Sequence, residues 1–169
     1  MTGLNPQRIG KEMPHGFAGF YARQPDMIVN TRPAGGPIPF GMALTYDADK
    51  NAVVFGTAET NLFAGVAGRE IKTALSYLNQ SAGAYAAGEP VSVFQRGAVN
   101  VLCRKGAPAL GEAVYVRVAA NESIPAAQVG GFEAGADGAN SVQLPGCQWA
   151  GPADANGVAE LRILTLNKA

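Results

Sequence analysis

Few groups in this 169-residue chain could do chemistry. His15 is the single histidine, between Pro14 and Gly16, and Cys103 and Cys147 are the two cysteines. A Ser-His-Asp or Cys-His nucleophile needs its imidazole within hydrogen-bond reach of the serine or cysteine and oriented by a third group. Nothing around His15 places it so, and it reads as a solvent or interface histidine. The cysteines stand 44 positions apart with no CxxC and no histidine nearby, which suits neither a zinc site nor a disulfide framework. They read as buried thiols, with a disulfide between them as the lesser alternative. Asp47, Asp49 and Asn51 alternate like calcium ligands, but Ala52 stands where such a loop has its glycine and Ala58 where it has its bidentate glutamate. A solvated hairpin tip is the better reading. Ala34-Gly35-Gly36-Pro37 and Gly130-Gly131 lack the strand, loop and helix context of a phosphate cradle and read as turns. A carboxylate pair of the glycosidase type stays as an enzymatic alternative, although no acidic residue is expected to face inward from an apolar strand. Trp149, with Cys147 and Leu161, reads as core rather than a sugar platform. The chain is therefore expected to be no enzyme, with no catalytic residue, cofactor or metal site.

The elements that would position any site follow from composition. The length suits one domain with a real core. Gly and Pro together make 33 residues, about a fifth of the chain, as in folds of many short strands joined by turns. The expected class is all-β, a single antiparallel β-barrel or sandwich-like domain with an extended N-terminal arm. Charged residues are only 15%, and 13 basic side chains cancel 13 acidic ones. A nucleic-acid binder would need a basic excess to displace counterions from phosphate, so no nucleic-acid partner is expected. No apolar run reaches about 18 residues and Met1 to Gly10 lacks the apolar centre of a signal peptide. Neither a membrane partner nor secretion is expected.

Residues 88–118 are the stretch around which the chain is organised. Val91 and Val93 form one two-residue ladder, Val99, Val101 and Cys103 a second, and Val114, Val116 and Val118 a third. Gln95, Arg96 and Gly97 read as a tight hairpin between the first two, which predicts a three-stranded antiparallel meander. Upstream, Phe40 to Tyr46 and Ala52 to Phe55 read as strands joined by a polar loop, and Leu62 to Val66 as a further apolar run. Ile71, Ala74, Leu75 and Leu78 match one face of a helix over 69–80, with an extended excursion as the alternative. Asn121 to Asn140 reads as loop. Val142 to Trp149 reads as a strand kinked at Pro145-Gly146, Asp154 to Gly157 as a turn, and Val158 to Leu166 as a strand. In that last strand Ala159, Leu161 and Ile163 are expected inward, and Glu160 and Arg162 outward.

Residues 1–37 have no sustained period, carry five prolines, and yet hold Ile9, Met13, Phe17, Phe20, Tyr21, Met27 and Ile28. Such a segment reads as an arm whose apolar side chains bind a partner, lying along another chain, with the globular domain spanning 38–169.

Several stretches, taken in order, resemble one family. They are Gly16-Phe-Ala-Gly-Phe-Tyr-Ala-Arg-Gln-Pro25, Ile38-Pro-Phe-Gly41, Phe63-Ala-Gly-Val-Ala-Gly-Arg-Glu70 and Tyr77-Leu-Asn-Gln-Ser-Ala-Gly-Ala-Tyr85. Gly88 to Gly97, Gly111 to Arg117, Asp154 to Leu161 and Ile163 to Thr165 continue the series. Together they are similar to the head cement, or capsid decoration, proteins of tailed bacteriophages. None is a chemical signature, so the order over most of the chain carries the likeness. It implies an all-β virion protein with no cofactor and no catalysis, made in the host cytoplasm and bound to the outer surface of the assembled head. It implies the phage major capsid protein as partner, and a homodimer or homotrimer that bridges neighbouring subunits and stabilises the shell against internal DNA pressure. The alternative is a head-surface ornament that binds host carbohydrate or the cell surface.

Overall fold

The structure, a computed structural model, describes residues 14–57, 62–70 and 83–164. The expected helix of 69–80 lies mostly outside these. Among the described residues eleven strands form: β1 (Tyr21–Pro33), β2 (Ile38–Pro39), β3 (Ala43–Tyr46), β4 (Ala52–Val54), β5 (Gly65–Ala67), β6 (Ala84–Tyr85), β7 (Pro90–Leu102), β8 (Ala113–Arg117), β9 (Phe132–Glu133), β10 (Ser141–Trp149) and β11 (Val158–Ile163). Nine make one antiparallel sheet in the order β4-β3-β5-β7-β11-β10-β8-β9, with β1 also on β7, while β2 and β6 pair separately. The sheet curls into a half-barrel. Bridges between Ala34 and Ala52, and between Cys103 and Phe132, bring its two ends back toward the middle. The fold is all-β.

The hairpin expected at Gln95-Arg96-Gly97 is not there. β7 runs straight through as a 13-residue strand, and Gly97, at φ +108°, serves a bulge instead of a turn. A Cβ at Gly97 would collide with the carbonyl oxygen of Asp26 on β1, so glycine is needed for close approach as well as for its dihedral. Nor is there a meander. β8 pairs with β10 and β9, and β11 takes the place beside β7 that the local order had given to its sequence neighbours. Local ladders show which residues alternate and are silent on which distant strand completes the sheet.

The arm also differs. Tyr21–Pro33 is strand β1, paired with β7 of its own chain from Tyr21↔Val99 to Pro33↔Pro90. The expectation that this apolar, proline-rich segment lies along another chain is not met over β1, whose antiparallel partner, 57 to 78 positions away, supplies its hydrogen bonds.

Two hydrophobic clusters share one wall. Ala43, Val66 and Phe94 lie in cross-strand register and enter the larger cluster with Val99, Val101, Trp149 and Leu161. Their neighbours Leu44, Ala67 and Val93 point the other way, into a smaller cluster with Ile38, Tyr85 and Val91. Residues 43–45, β5 and residues 91–94 are therefore covered on both faces, with Thr45 and Ser92 buried among their apolar neighbours. β10 is kinked at Pro145-Gly146 as expected, its first half on β8 and its last three residues on β11. Ala159, Leu161 and Ile163 are buried as expected. Glu160 was expected outward, and it does sit on the opposite face, but only 5% of it is exposed because Arg23 of β1 reaches across to it.

The segment expected as loop over 121–140 contains β9 and closes on a buried ion group. Arg117 and Glu133 are both 0% exposed and are joined from the arginine Nε to Glu133 Oε1. The Nη1 of Arg117 donates to Asp137 Oδ2 at 2.8 Å, and that carboxylate also accepts from Asn121 at 3.0 Å and Lys105 at 3.2 Å. The expectation that no acidic residue faces inward is thus corrected at Glu133 and Glu160: each charge is buried with an arginine distant in sequence. Hydrogen bonds from Asn121, Arg117 and Lys105 hold the Asp137 carboxyl far below the usual carboxylate range.

Two outcomes follow. Removing one partner of a buried pair leaves an uncompensated charge, so Glu133→Ala should cost about 3–5 kcal/mol in urea unfolding, while the double change Arg117→Met, Glu133→Leu should cost clearly less. Equal losses would show that the pair is not dehydrated. Because the folded pKa of Asp137 is depressed, its contribution is present above its unfolded value of about 3.9 and is lost as pH falls toward the folded one. Unfolding midpoints measured from pH 6 down to pH 2 should therefore fall less steeply in Asp137→Asn than in the parent chain.

Candidate functional site

Gly19 brings the N-terminal aromatic residues onto the domain. Its N–H donates to the Asn100 carbonyl at 2.7 Å and its carbonyl accepts from the Arg69 N–H at 2.9 Å, while the Asn100 N–H donates to the Phe20 carbonyl at 2.7 Å. A Cβ at Gly19 would lie 2.8 Å from the Arg69 nitrogen, and φ is +90°, so the crossing requires glycine. Further back, Asn100 Nδ2 donates to the His15 carbonyl and the His15 N–H donates to Asp154 Oδ2 at 2.8 Å. His15 is thus tied through its backbone.

These bonds set Phe17 and Phe20 side by side, ring centroids 6.2 Å apart. The guanidinium of Arg69 lies 4.9 Å from the Phe17 ring, 5.8 Å from Phe20 and 5.4 Å from Phe40. Phe40 in turn meets Tyr85 edge-on at 5.0 Å, and the Tyr85 hydroxyl donates to the Gly68 carbonyl at 2.6 Å. Each arginine–ring contact is worth about 0.5–1 kcal/mol at an exposed site, so one cation fixes three rings. The outer rings stay open to solvent, Phe17 62% and Phe20 40% exposed. A cleft of about 510 Å³ runs beside Phe17, lined also by Phe40, Arg69, Leu102 and Arg104.

Of the partner-binding candidates, Phe17, Phe20, Tyr21 and Ile28 are exposed, and Met27 is half-buried against the larger cluster. Ile9 and Met13 lie outside the described residues. The structure brings Phe17 and Phe20 together. It adds Arg69 and Phe40, which sequence reasoning missed because neither belongs to the N-terminal segment and an arginine after an apolar run gives no sign of its ring partners.

The remaining candidates have plain places. Asp47 accepts from the Asn51 N–H at 2.8 Å and from its side chain at 3.1 Å, which keeps its carboxyl below the usual range and makes the tip a hydrogen-bonded turn. Among the described residues no group of three His, Cys, Asp or Glu could hold a metal, and no helix is long and apolar enough to cross a membrane. Both cysteines are free thiols. Cys147 is buried, which pushes its thiol up to about 12, and Cys103, half-buried, is raised for the same reason. Trp149 is core, 1% exposed. What the site can do chemically is bind: it offers oriented ring faces and guanidinium donors.

The fold is similar to that of a chain in the solved structure of the capsid of Myoviridae phage XM1, with a TM-score of 0.65 over 97% of this chain and 99% of that one, at 16% identity. No curated protein matches the sequence. The family model described as structural cement protein (E217 gp24/Pam3 gp6) matches residues 5–164, from ahead of the aromatic segment to the end of β11. With nearly its whole length matched, the chain belongs to the phage structural cement protein family.

Proposed function

We propose that this chain binds the outer surface of the assembled phage head, bridges neighbouring major capsid protein subunits and stabilises the shell against the pressure of packaged DNA. The family match over residues 5–164 carries this reading. The ring face supports it, because aromatic side chains already held in place lose little entropy on docking and make strong interface anchors. In this reading residues 1–37 supply the shell contact through Ile9, Met13, Phe17, Phe20, Tyr21 and Ile28, held to residues 38–169 by the pairing of β1 with β7 and by Met27 against the larger cluster. The protein acts as a homodimer or homotrimer, made in the host cytoplasm and carried on the virion, since a bridge needs at least two linked shell contacts.

The mechanism is mass action. A protein that binds the closed shell and not the ruptured one stabilises it by RT ln(1 + [L]/Kd), about 2.7 kcal/mol per site at a hundredfold excess over Kd. Heads lacking the chain should assemble but release DNA at lower temperature, and purified chain should restore them saturably. Phe17→Ala with Phe20→Ala should leave the fold intact and weaken decoration at least tenfold. Genome release measured against temperature, with and without the chain, tests this. Identical curves at full occupancy would sink the stabilising role. The exposed rings also suit a sugar face, so that result would favour the carbohydrate-binding ornament.

A further inference from the structure

Where β1 bulges opposite Gly97 of β7, the two strands part. Arg23 pairs with Ala98 and Ile28 with Arg96, so five steps along β1 span two along β7 and the intervening residues bow outward. Between the bow and β11 lies a groove of about 340 Å³, lined by Arg23, Gln24, Asp26, Arg96, Arg162 and Leu164. Three guanidiniums meet here, and two carboxylates serve them. Glu160 lies beneath and is taken chiefly by Arg23, at 2.9 and 3.0 Å from Nε. Arg162 reaches the same Oε1 only at 3.4 Å. Arg96 holds Asp26 at 3.0 Å, and that carboxylate is itself 68% exposed. The groove therefore carries one net positive charge in a chain whose total is zero, and Arg162, 43% exposed, meets its shared carboxylate only through Nε, at 3.4 Å.

We propose that this groove receives an aspartate or glutamate side chain from an extended acidic segment of the shell protein. A carboxylate matches the planar fork of a guanidinium with two parallel hydrogen bonds. The neighbouring Leu164, 47% exposed, and Ile28, 37% exposed, offer apolar contact to the rest of such a segment. A nucleic-acid backbone would need a run of cations, and one surplus charge serves one carboxylate. The identity of the partner rests on the cement reading, whereas the chemistry of the groove does not.

The test uses the full chain, isotopically labelled, titrated with a hexaglutamate peptide while backbone amide shifts are followed. Saturable shifts at Gly97, Ala98 and Ile163 are expected, lost at about 1 M salt. Arg162→Gln should weaken binding about tenfold, and Arg162→Lys, which keeps the charge but not the fork, by less. The dispersion of each variant's spectrum reports whether it has folded. No shift at these amides, or equal affinity in Arg162→Gln, would overturn the proposal. Inorganic phosphate giving the same shifts at the same concentration would overturn it too, in favour of an unselective anion site. Decoration of heads is measured separately: Arg162→Gln that loses the peptide yet decorates as the parent does overturns the shell segment as occupant. Peptide binding that persists in a chain that decorates no heads removes the cement reading and leaves the groove.

Discussion

The rest of the structure depends on β7 finding partners on both of its edges. A 13-residue strand carries two rows of backbone donors and acceptors, and an unpaired buried group costs about as much as a lost hydrogen bond. β1 lies along one edge from Pro90 to Val99, while β5 and then β11 share the other. The change of partner falls at Gln95–Gly97. One bulge there lets a single strand serve two clusters: Val91 and Val93 point into the smaller one, and Phe94, Val99 and Val101 into the larger. The N-terminal segment is thus not an accessory to the domain, since without β1 one edge of the central strand would be bare.

Sharing a wall between two clusters has an energetic consequence. Residues 43–45, 65–67 and 91–94 are buried on one face or the other, so a slip of one position would exchange two buried sets rather than expose one. Hydrophobicity alone specifies that register weakly. Gly65, at φ +153° between Leu44 and β7, supplies what is missing: a Cβ there would run into the Phe94 carbonyl, so only this residue fits the crossing. The buried Arg117, Glu133 and Asp137 group does the same for the other end of the sheet. Its replacement by well-packed apolar residues should change net stability little, and its contacts tie β9 to β8 and to Asn121 and Asp137 of the chain after β8.

Much of this was legible in the sequence, and the failures share a cause. The turn from Tyr46 to Ala52, the kink at Pro145-Gly146 and the inward set Ala159, Leu161 and Ile163 are encoded by residues within a few positions of each other, and each is present. The likeness to phage cement proteins was legible in the order of its motifs, and the family match confirms it. Gln95-Arg96-Gly97 misled because glycine suits a turn and a bulge equally, and the deciding contact is Asp26, some 70 positions upstream. Glu160 looked solvent-facing because its partner Arg23 is 137 positions away. β9, two residues long among glycines, carries no period to find. The ring face was half visible: Phe17 and Phe20 were candidates, but the arginine that orients them lies in a different segment.

The distribution of charge ties the fold to its mode of association. Charged residues make up only 15% of the chain with no net charge, and the buried ones, Arg117, Glu133 and Glu160, are paired, so the charge left at the surface is sparse and balanced. In the proposed role, contact through the ring faces would be governed by buried area and strengthened rather than weakened by salting-out ions. Buried area is non-directional, so apolar contact alone would not fix how a copy is turned on a regular shell. One directional ionic contact is enough to do that, because charge complementarity acts on orientation and partner choice more than on affinity. The arginine groove at the β1 bulge shares no lining residue with the cleft beside Phe17, so if both proposed contacts form, their different chemistries would together fix an orientation that either alone would leave free.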